Sequence, residues 1–424
     1  MFIPISKWAG FTCLILSALS VNAESLTRAD ALQIALRDNP DLMVARASWQ
    51  AEKARALQTW ALPPPELELE YEGMPGIFKF GQHVQRTVGL SQQVAFPVTW
   101  WQRHQAAQHL ADAVYLSVYE VTRLNIARDI CLAYDRALAD QQILHLAEKH
   151  VQLSEEFFER AQTRFDAGDI PKLDVMRAEV AFVRLQSKLT VAKNTLSVSR
   201  SKINVLLGKL PQVAWVLADS LSYVPASFDL DHLSAEALRL RRDLRATTHT
   251  LQSAKARQSA AKLSFLPDVS FHIARQTTLG STGPLKSWRT GFVFELPLWS
   301  MFEQRGKIVE TSAQYKKAMA KTEQIKLRVL QEVHTAYIAF QATAQRMTLM
   351  QERIRPTAER AYSMARQSYD VGEVSYLDLL DVQRDVIEIG IEYLETLFAY
   401  RSAQAKLFHA VGKAPASLNT GNSK

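Results

Sequence analysis

The residues best equipped for chemistry in this 424-residue chain are carboxylates. Glu66, Glu68, Glu70 and Glu72 alternate with Leu67, Leu69 and Tyr71. On a strand, that period of two puts the four acids on one face and the apolar residues on the other. Such a ladder lines a water-filled space and attracts cations weakly. Asp378 and Asp381 stand three apart and share a helix face. Both follow Gly372 within the first turns of a helix, where the dipole favours carboxylates. Asp174 repeats Asp378 elsewhere in the chain, but Arg177 stands where Asp381 would recur. That asymmetry gives Asp381 a role beyond the dipole.

Bond-making chemistry finds no support. The GxSxG, HExxH, phosphate-loop and GxGxxG patterns are absent, so neither an enzyme nor a cofactor is expected. The ten histidines show no HxxxH pair, and none sits near a cluster of acids and Met at ligand spacing. No metal site is therefore expected. Cys13 falls in a segment expected to be removed, which leaves Cys131 without a disulfide partner. Cys131 is expected to be a small buried hydrophobe. The net charge of +7 does not mark a nucleic-acid partner, because the Lys and Arg are interspersed with 43 acids. No run of five like charges occurs.

The elements that position these residues follow from composition. Gly and Pro number only 15 each, and mean hydropathy is −0.12. Long helices are implied, and a polytopic helical membrane protein is not. Residues 1–23 combine a basic start, an apolar stretch and the small-residue end Val21-Asn22-Ala23. This is a signal peptide pattern with cleavage expected after Ala23. Cys13 lies within the apolar stretch, so a lipoprotein box is not expected. No other apolar run of 18 residues exists, so any membrane span must be made of strands.

An internal repeat of about 200 residues organises the rest. Asp166, Gly168, Leu173, Asp174, Gly208, Lys209 and Pro211 recur as Asp370, Gly372, Leu377, Asp378, Gly412, Lys413 and Pro415. The expected units are 24–211, a linker at 212–229, 230–415 and a flexible tail at 416–424. Each unit begins with one helix, near 26–62 and 230–266. Thr27 and Asp30 give the first of these a capping box. Two strands follow, Glu66–Glu72 with 86–96 and 269–273 with 289–296, joined by long loops at 73–85 and 276–287. A helix near 98–167, roughly 105 Å long, comes next. Its counterpart runs near 299–371 and should kink at Pro356. Turns at Gly168 and Gly372 reverse the chain into a last helix ending at Gly208 or Gly412. Apolar seams recur at Ile126, Ile130, Ala133 and Ala137, and at Val329, Val333, Ala336 and Phe340.

Four strands cannot close a barrel, and an open edge is not tolerated in lipid. If the strands enter a membrane, the chain must oligomerise, and three copies would give a 12-stranded barrel. Trp60, Trp100, Trp101, Trp288 and Trp299 fall at strand ends, which fits aromatic girdles at the two membrane interfaces. The alternative is a sheet covering a soluble core, with Trp as filler.

The signal peptide, the duplication, the element order and the paired turn motifs resemble the TolC family of outer-membrane efflux channels. The motifs are Arg164-Phe165-Asp166-Ala167-Gly168 with Asp174, and Tyr369-Asp370-Val371-Gly372 with Asp378. The stretch from Asn39-Pro40-Asp41-Leu42 to Glu70 most resembles the CzcC-like, heavy-metal branch. The resemblance implies a mainly α fold with a small β part. Long helical hairpins would form an α-barrel across the periplasm, continuing a trimeric 12-stranded β-barrel in the outer membrane. It implies a homotrimer, a periplasmic adaptor (membrane-fusion) protein and an inner-membrane pump of the resistance-nodulation-division type. Heavy-metal cations are the expected cargo. A duct for drugs or other small organics is the first alternative, and a secreted coiled-coil scaffold the second.

The resemblance also assigns working parts. Adaptor hairpins would meet Ala167, Gly168, Asp169 and Ile170 at one tip, and Val371, Gly372, Glu373 and Val374 at the other. Tyr369, Asp378 and Asp381 match the periplasmic gate, where acids from three copies would face one axis. Val374 departs, because the best-known channels carry an arginine latch there. A different latch is expected in this chain.

Overall fold

The computed structural model describes residues 24–281, 283–295, 301–371 and 373–414. The expected signal peptide, Leu296, Trp299, Gly372 and the tail lie outside the described residues. The first repeat contains β1 (Glu24–Leu26), α1 (Arg28–Asp38), α2 (Pro40–Gln58), β2 (Glu66–Glu72) and β3 (Gln85–Val94). It continues with α3 (Pro97–Val114), α4 (Val121–Asp166) and α5 (Lys172–Leu206). After β4 (Trp215–Leu217), the second repeat runs through α6 (Leu230–Leu240), α7 (Arg242–Lys262), β5 (Asp268–Gly280) and β6 (Gly283–Glu295). It closes with α8 (Met301–Leu349), α9 (Arg355–Asp370) and α10 (Tyr376–Val411).

The expected single first helix of each repeat is in fact two. Asn39 leaves the helical region at ψ 125°, and its side chain accepts from the Asp41 N–H at 2.8 Å. Pro40 cannot donate to α1 but starts α2 well, since the first turn needs no N–H there. Arg241 repeats the break without a proline, at ψ 118°. Its guanidinium instead grips the Asp243 carboxylate at 2.9 and 2.7 Å. Asn39 Nδ2 donates to the Leu206 carbonyl at 2.9 Å, and Arg241 Nη1 to the Ala410 carbonyl at 3.1 Å. Each break is thereby tied to the end of the last helix of its own repeat. The Thr27–Asp30 capping box is formed, with the Thr27 hydroxyl donating to Asp30 at 2.6 Å.

The long helices hold, with one feature each that departs from expectation. A π turn at Tyr115–Glu120 joins α3 to α4, and another at Met350–Ile354 joins α8 to α9. The second lies just ahead of Pro356, whose missing N–H cannot close the regular ladder. Both apolar seams face one core, with Ala133 and Ala336 half-buried at its edge. Ile126, Ile130, Ala137, Val329, Val333 and Phe340 belong to one core with Tyr134, Leu397 and Tyr400. Cys131 sits in it as a small hydrophobe, and burial pushes its thiol up to about 11.

The expected linker contributes β4, which pairs in parallel with β1. The other four strands form an antiparallel sheet in the order β2-β3-β5-β6. Its second hairpin is tight, not long. Gln276 pairs with Ser287, and the ladder continues to Gly280 and Gly283. Among the described residues the sheet is open, with β2 and β6 at its edges. No described helix is long and apolar enough to cross a membrane.

Candidate functional site

The candidate residues fall at the two ends of the long helices. About 70 residues of helix separate the sheet from the tips, roughly 105 Å. At the sheet, register decides which side chains share a face. Glu68 pairs with Gly89 and then Ala274, and Glu70 with Thr87 and then Gln276. The face carrying Glu66, Glu68, Glu70 and Glu72 therefore also carries Ser91, Thr87, His272, Ser270 and Gln276. It is polar throughout β2 and β3. His272 Nδ1 lies 3.5 Å from Glu68 Oε2.

The opposite face is apolar and exposed. Leu67, Leu69, Val88, Leu90, Phe271, Phe292 and Phe294 lie on it, with Leu67 and Phe292 each 67 % exposed. A contiguous apolar face of this extent needs a nonaqueous neighbour. Arg275 and Trp288 form a cross-strand pair in the register row of Leu69 and Val88, the guanidinium 5.8 Å from the ring centroid. Trp60, Trp100 and Trp101 form one cluster where α2 and α3 meet the sheet. Trp60 packs edge-on against Trp100 at 4.3 Å and lies 6.0 Å from Trp101. Trp60, Trp100 and Trp101 thus mark the helix-side end of the apolar face, whereas Trp288 sits inside β6 rather than at a strand end as expected, because the tight hairpin extends both strands well past it.

At the first tip, Gly168 takes φ +84° and lets α4 end in a left-handed cap. The Asp169 N–H donates to the Arg164 carbonyl at 2.9 Å, and the Gly168 N–H to Phe165 at 2.9 Å. Ala167, Gly168 and Asp169 are exposed, whereas Ile170 turns onto a small core of Ala161, Val175 and Ala178. At the second tip, Val371 and Glu373 are exposed and Val374 is half-buried. The Glu373 N–H donates to the Ser368 carbonyl at 2.8 Å, the same cap geometry.

The gate candidates divide. Asp378 closes a capping box on α10: its carboxylate accepts from the Ser375 hydroxyl at 2.7 Å and the Ser375 N–H at 3.1 Å. Ser375-x-x-Asp378 is the same signature as Thr27-x-x-Asp30, so this use of Asp378 is legible from spacing. Asp174 has Pro171 at the matching cap and turns to Arg177 at 3.7 Å instead. Asp381 is exposed and lines a groove with Arg184, Lys188 and Arg384. Tyr369 receives a hydrogen bond from Arg164 Nη1 at 3.1 Å, with the guanidinium 5.9 Å from the ring centroid. Arg164 lies on the other hairpin, 205 residues away in sequence. Only folding brings this link together.

A second grouping is invisible in the sequence. His109 and Asp112 on α3 meet His249 on α7, contrary to the expectation of no metal-ligating cluster. His109 and Asp112 come from the first repeat and His249 from the second, so no local spacing reveals the group.

Comparison with known proteins gives a consistent picture. The outer membrane efflux protein family matches residues 31–209 and again 233–413. The cation efflux system protein CusC of Escherichia coli K12 is 24% identical over 393 residues, spanning 89% of this chain and 84% of CusC. The solvent efflux pump outer membrane protein SrpC of Pseudomonas putida is 24% identical over 331 residues, 75% of this chain and 69% of its own. Among solved structures, CusC superposes with a TM-score of 0.75 at 20% identity, covering 93% of this chain and 96% of CusC. The channel OprN gives 0.76 at 19% identity, covering 92% and 90%. These superpositions speak to the fold, and the twofold family match extends to both repeats. The chain belongs to the outer membrane efflux protein family, the channels of the TolC type.

Proposed function

We propose that three copies of this chain form the outer-membrane duct of a tripartite efflux system whose cargo is heavy-metal cations. The observation that carries this reading is the two-faced open sheet. One face is a carboxylate ladder with hydroxyls and amides; the other is exposed and apolar. Joining the β6 edge of one copy to the β2 edge of the next satisfies both free edges. The acids then line a lumen, and the apolar face meets lipid. A cation cargo suits that lining, and CusC is named for cation efflux. A duct for organic compounds is the second reading, supported by the similarity to the solvent efflux protein SrpC.

The tips supply the other working parts. Ala167, Gly168, Asp169, Val371 and Glu373 offer an exposed surface to a periplasmic adaptor, which couples the duct to an inner-membrane pump. The Arg164–Tyr369 link takes the place of the arginine latch that Val374 lacks. Asp381 is the gate acid, while Asp378 shapes the helix start. A strain lacking the gene, challenged with divalent metals and with hydrophobic drugs, tests the cargo. Sensitivity to metals alone supports the first reading; sensitivity to drugs alone overturns it in favour of the second. For the latch, Arg164→Ala should raise single-channel conductance in planar bilayers, and unchanged conductance would remove it from the gate.

A further inference from the structure

We propose that His109, Asp112 and His249 form a binding site for a divalent transition-metal ion that staples α3 to α7. One ligand atom from each residue lies within 4.8 Å of the others. His249 Nδ1 and Asp112 Oδ2 are 3.8 Å apart, too far for a direct hydrogen bond. A tetrahedral ion with bonds of about 2.0–2.1 Å sets its ligand atoms roughly 3.3 Å apart, so small side-chain rotations close the site. The imidazoles stand 6.0 Å apart between centroids.

Two observations point to a ligand. The Nδ1 atoms of both His109 and His249 are shielded from water and have no hydrogen-bond partner. Buried polar atoms are ordinarily satisfied, and an ion between the rings satisfies these two. The two helices also touch directly on either side of them. The Ser253 hydroxyl donates to the Ala106 carbonyl at 2.7 Å, one turn to one side. Ala113 and Ala246, both buried, flank the other side. Small residues above and below let the helix backbones approach and hold the two rings on facing surfaces. Asp112 is exposed and leaves a path for the ion to enter.

The donor set selects the class of ion. Two imidazoles and one carboxylate suit borderline divalent ions such as Zn2+, Co2+ or Ni2+, with water completing the shell. Without thiolate or thioether, a soft monovalent ion such as Ag+ is a poor fit. This site is independent of the cargo reading, because a bound staple need not be the transported ion.

The test uses the full chain purified in detergent, stripped with a chelator and titrated with Zn2+ by calorimetry. One Zn2+ per chain should bind through these residues. His109→Gln and His249→Gln should each weaken that ion by at least about tenfold. Absence of binding, or the same affinity and stoichiometry in both variants, overturns the site. A second measurement needs no variant. Zn2+ should protect His109 and His249 from diethyl pyrocarbonate, read by mass spectrometry, whereas equal labelling with and without Zn2+ overturns the proposal. Displacement of this Zn2+ by stoichiometric Ag+ would overturn the assigned ion class. A failed metal-sensitivity assay in cells would bear on cargo alone.

Discussion

Single residues set the ends of the long elements, and two glycines show how differently that can be done. Gly168 (φ +84°) has nothing within 4 Å of where a Cβ would stand. Gly208 (φ +68°) has the Asp38 carbonyl oxygen only 2.5 Å from that point. Gly168→Ala should therefore cost only the left-handed strain, about 1 kcal/mol. Gly208→Ala adds a backbone collision at the α1–α2 break and should cost at least about 2 kcal/mol. Denaturant unfolding of the two variants checks the order. A second residue-scale effect depends on pH. Burial, with Arg128 and Arg241 beside it, pushes the His409 imidazole down to about 4. Burial and Lys149 do the same to His150. The unfolded chain takes up these protons near pH 6.5 and the folded chain does not. Stability should thus be undiminished above about pH 6.5 and fall as pH drops towards 4. In His409→Gln the decline between pH 7 and 5 should be shallower in denaturant titrations. An unchanged slope would show that His409 is not responsible.

At the scale of elements, the breaks at Asn39 and Arg241 are the joints that let short helices meet the ends of α5 and α10. Arg241 is the more demanding joint. Its guanidinium contacts Asp243, Glu332 at 2.8 Å and the Ala410 carbonyl while only 12 % exposed. Burial draws the Asp243 carboxyl upward, but the Arg241 hydrogen bonds and charge outweigh it and hold it below its ordinary value. Arg241→Ala leaves the half-buried Asp243 with Arg328, 3.4 Å away and half-exposed, as its remaining cation and should cost about 3 kcal/mol. Arg241→Met combined with Asp243→Leu should recover much of that loss, because it removes both charges. Thermal unfolding of the single and double variants distinguishes this from lost packing alone. The Arg241 joint also shows where sequence reading stops. Periodicity and the placement of Gly and Pro gave the long helices, the tips and the strand faces, because those are local patterns. Asn39-Pro40 was a readable break; Arg241-Arg242 was not, since its helix end depends on Asp243, Glu332 and Ala410 meeting in space. The Arg164–Tyr369 link and the His109–His249 pair escaped for the same reason. Each joins residues from different repeats, and the offset of the repeat says nothing about what lies across it.

For the whole molecule, the two faces of the sheet carry the test. A soluble cap and a trimeric barrel make opposite demands on the same residues. In the barrel, Leu67 and Phe292 point into hydrocarbon, and an arginine at either costs about 2–4 kcal/mol at mid-depth. Leu67→Arg and Phe292→Arg should therefore reduce the trimer recovered from outer membranes, whereas a solvated sheet would accept both changes. The ladder supplies the complementary test. With Glu66, Glu68, Glu70 and Glu72 all replaced by Gln, the trimer should still assemble, because the side chains keep their size and stay in water. Its preference for cations should shrink, so the reversal potential under a salt gradient across a planar bilayer moves towards zero. A ladder facing lipid predicts the reverse: neutralising it would aid insertion and leave selectivity alone. Assembly lost on one face and selectivity lost on the other, with neither effect crossing over, is the result that only a lumen-facing ladder produces.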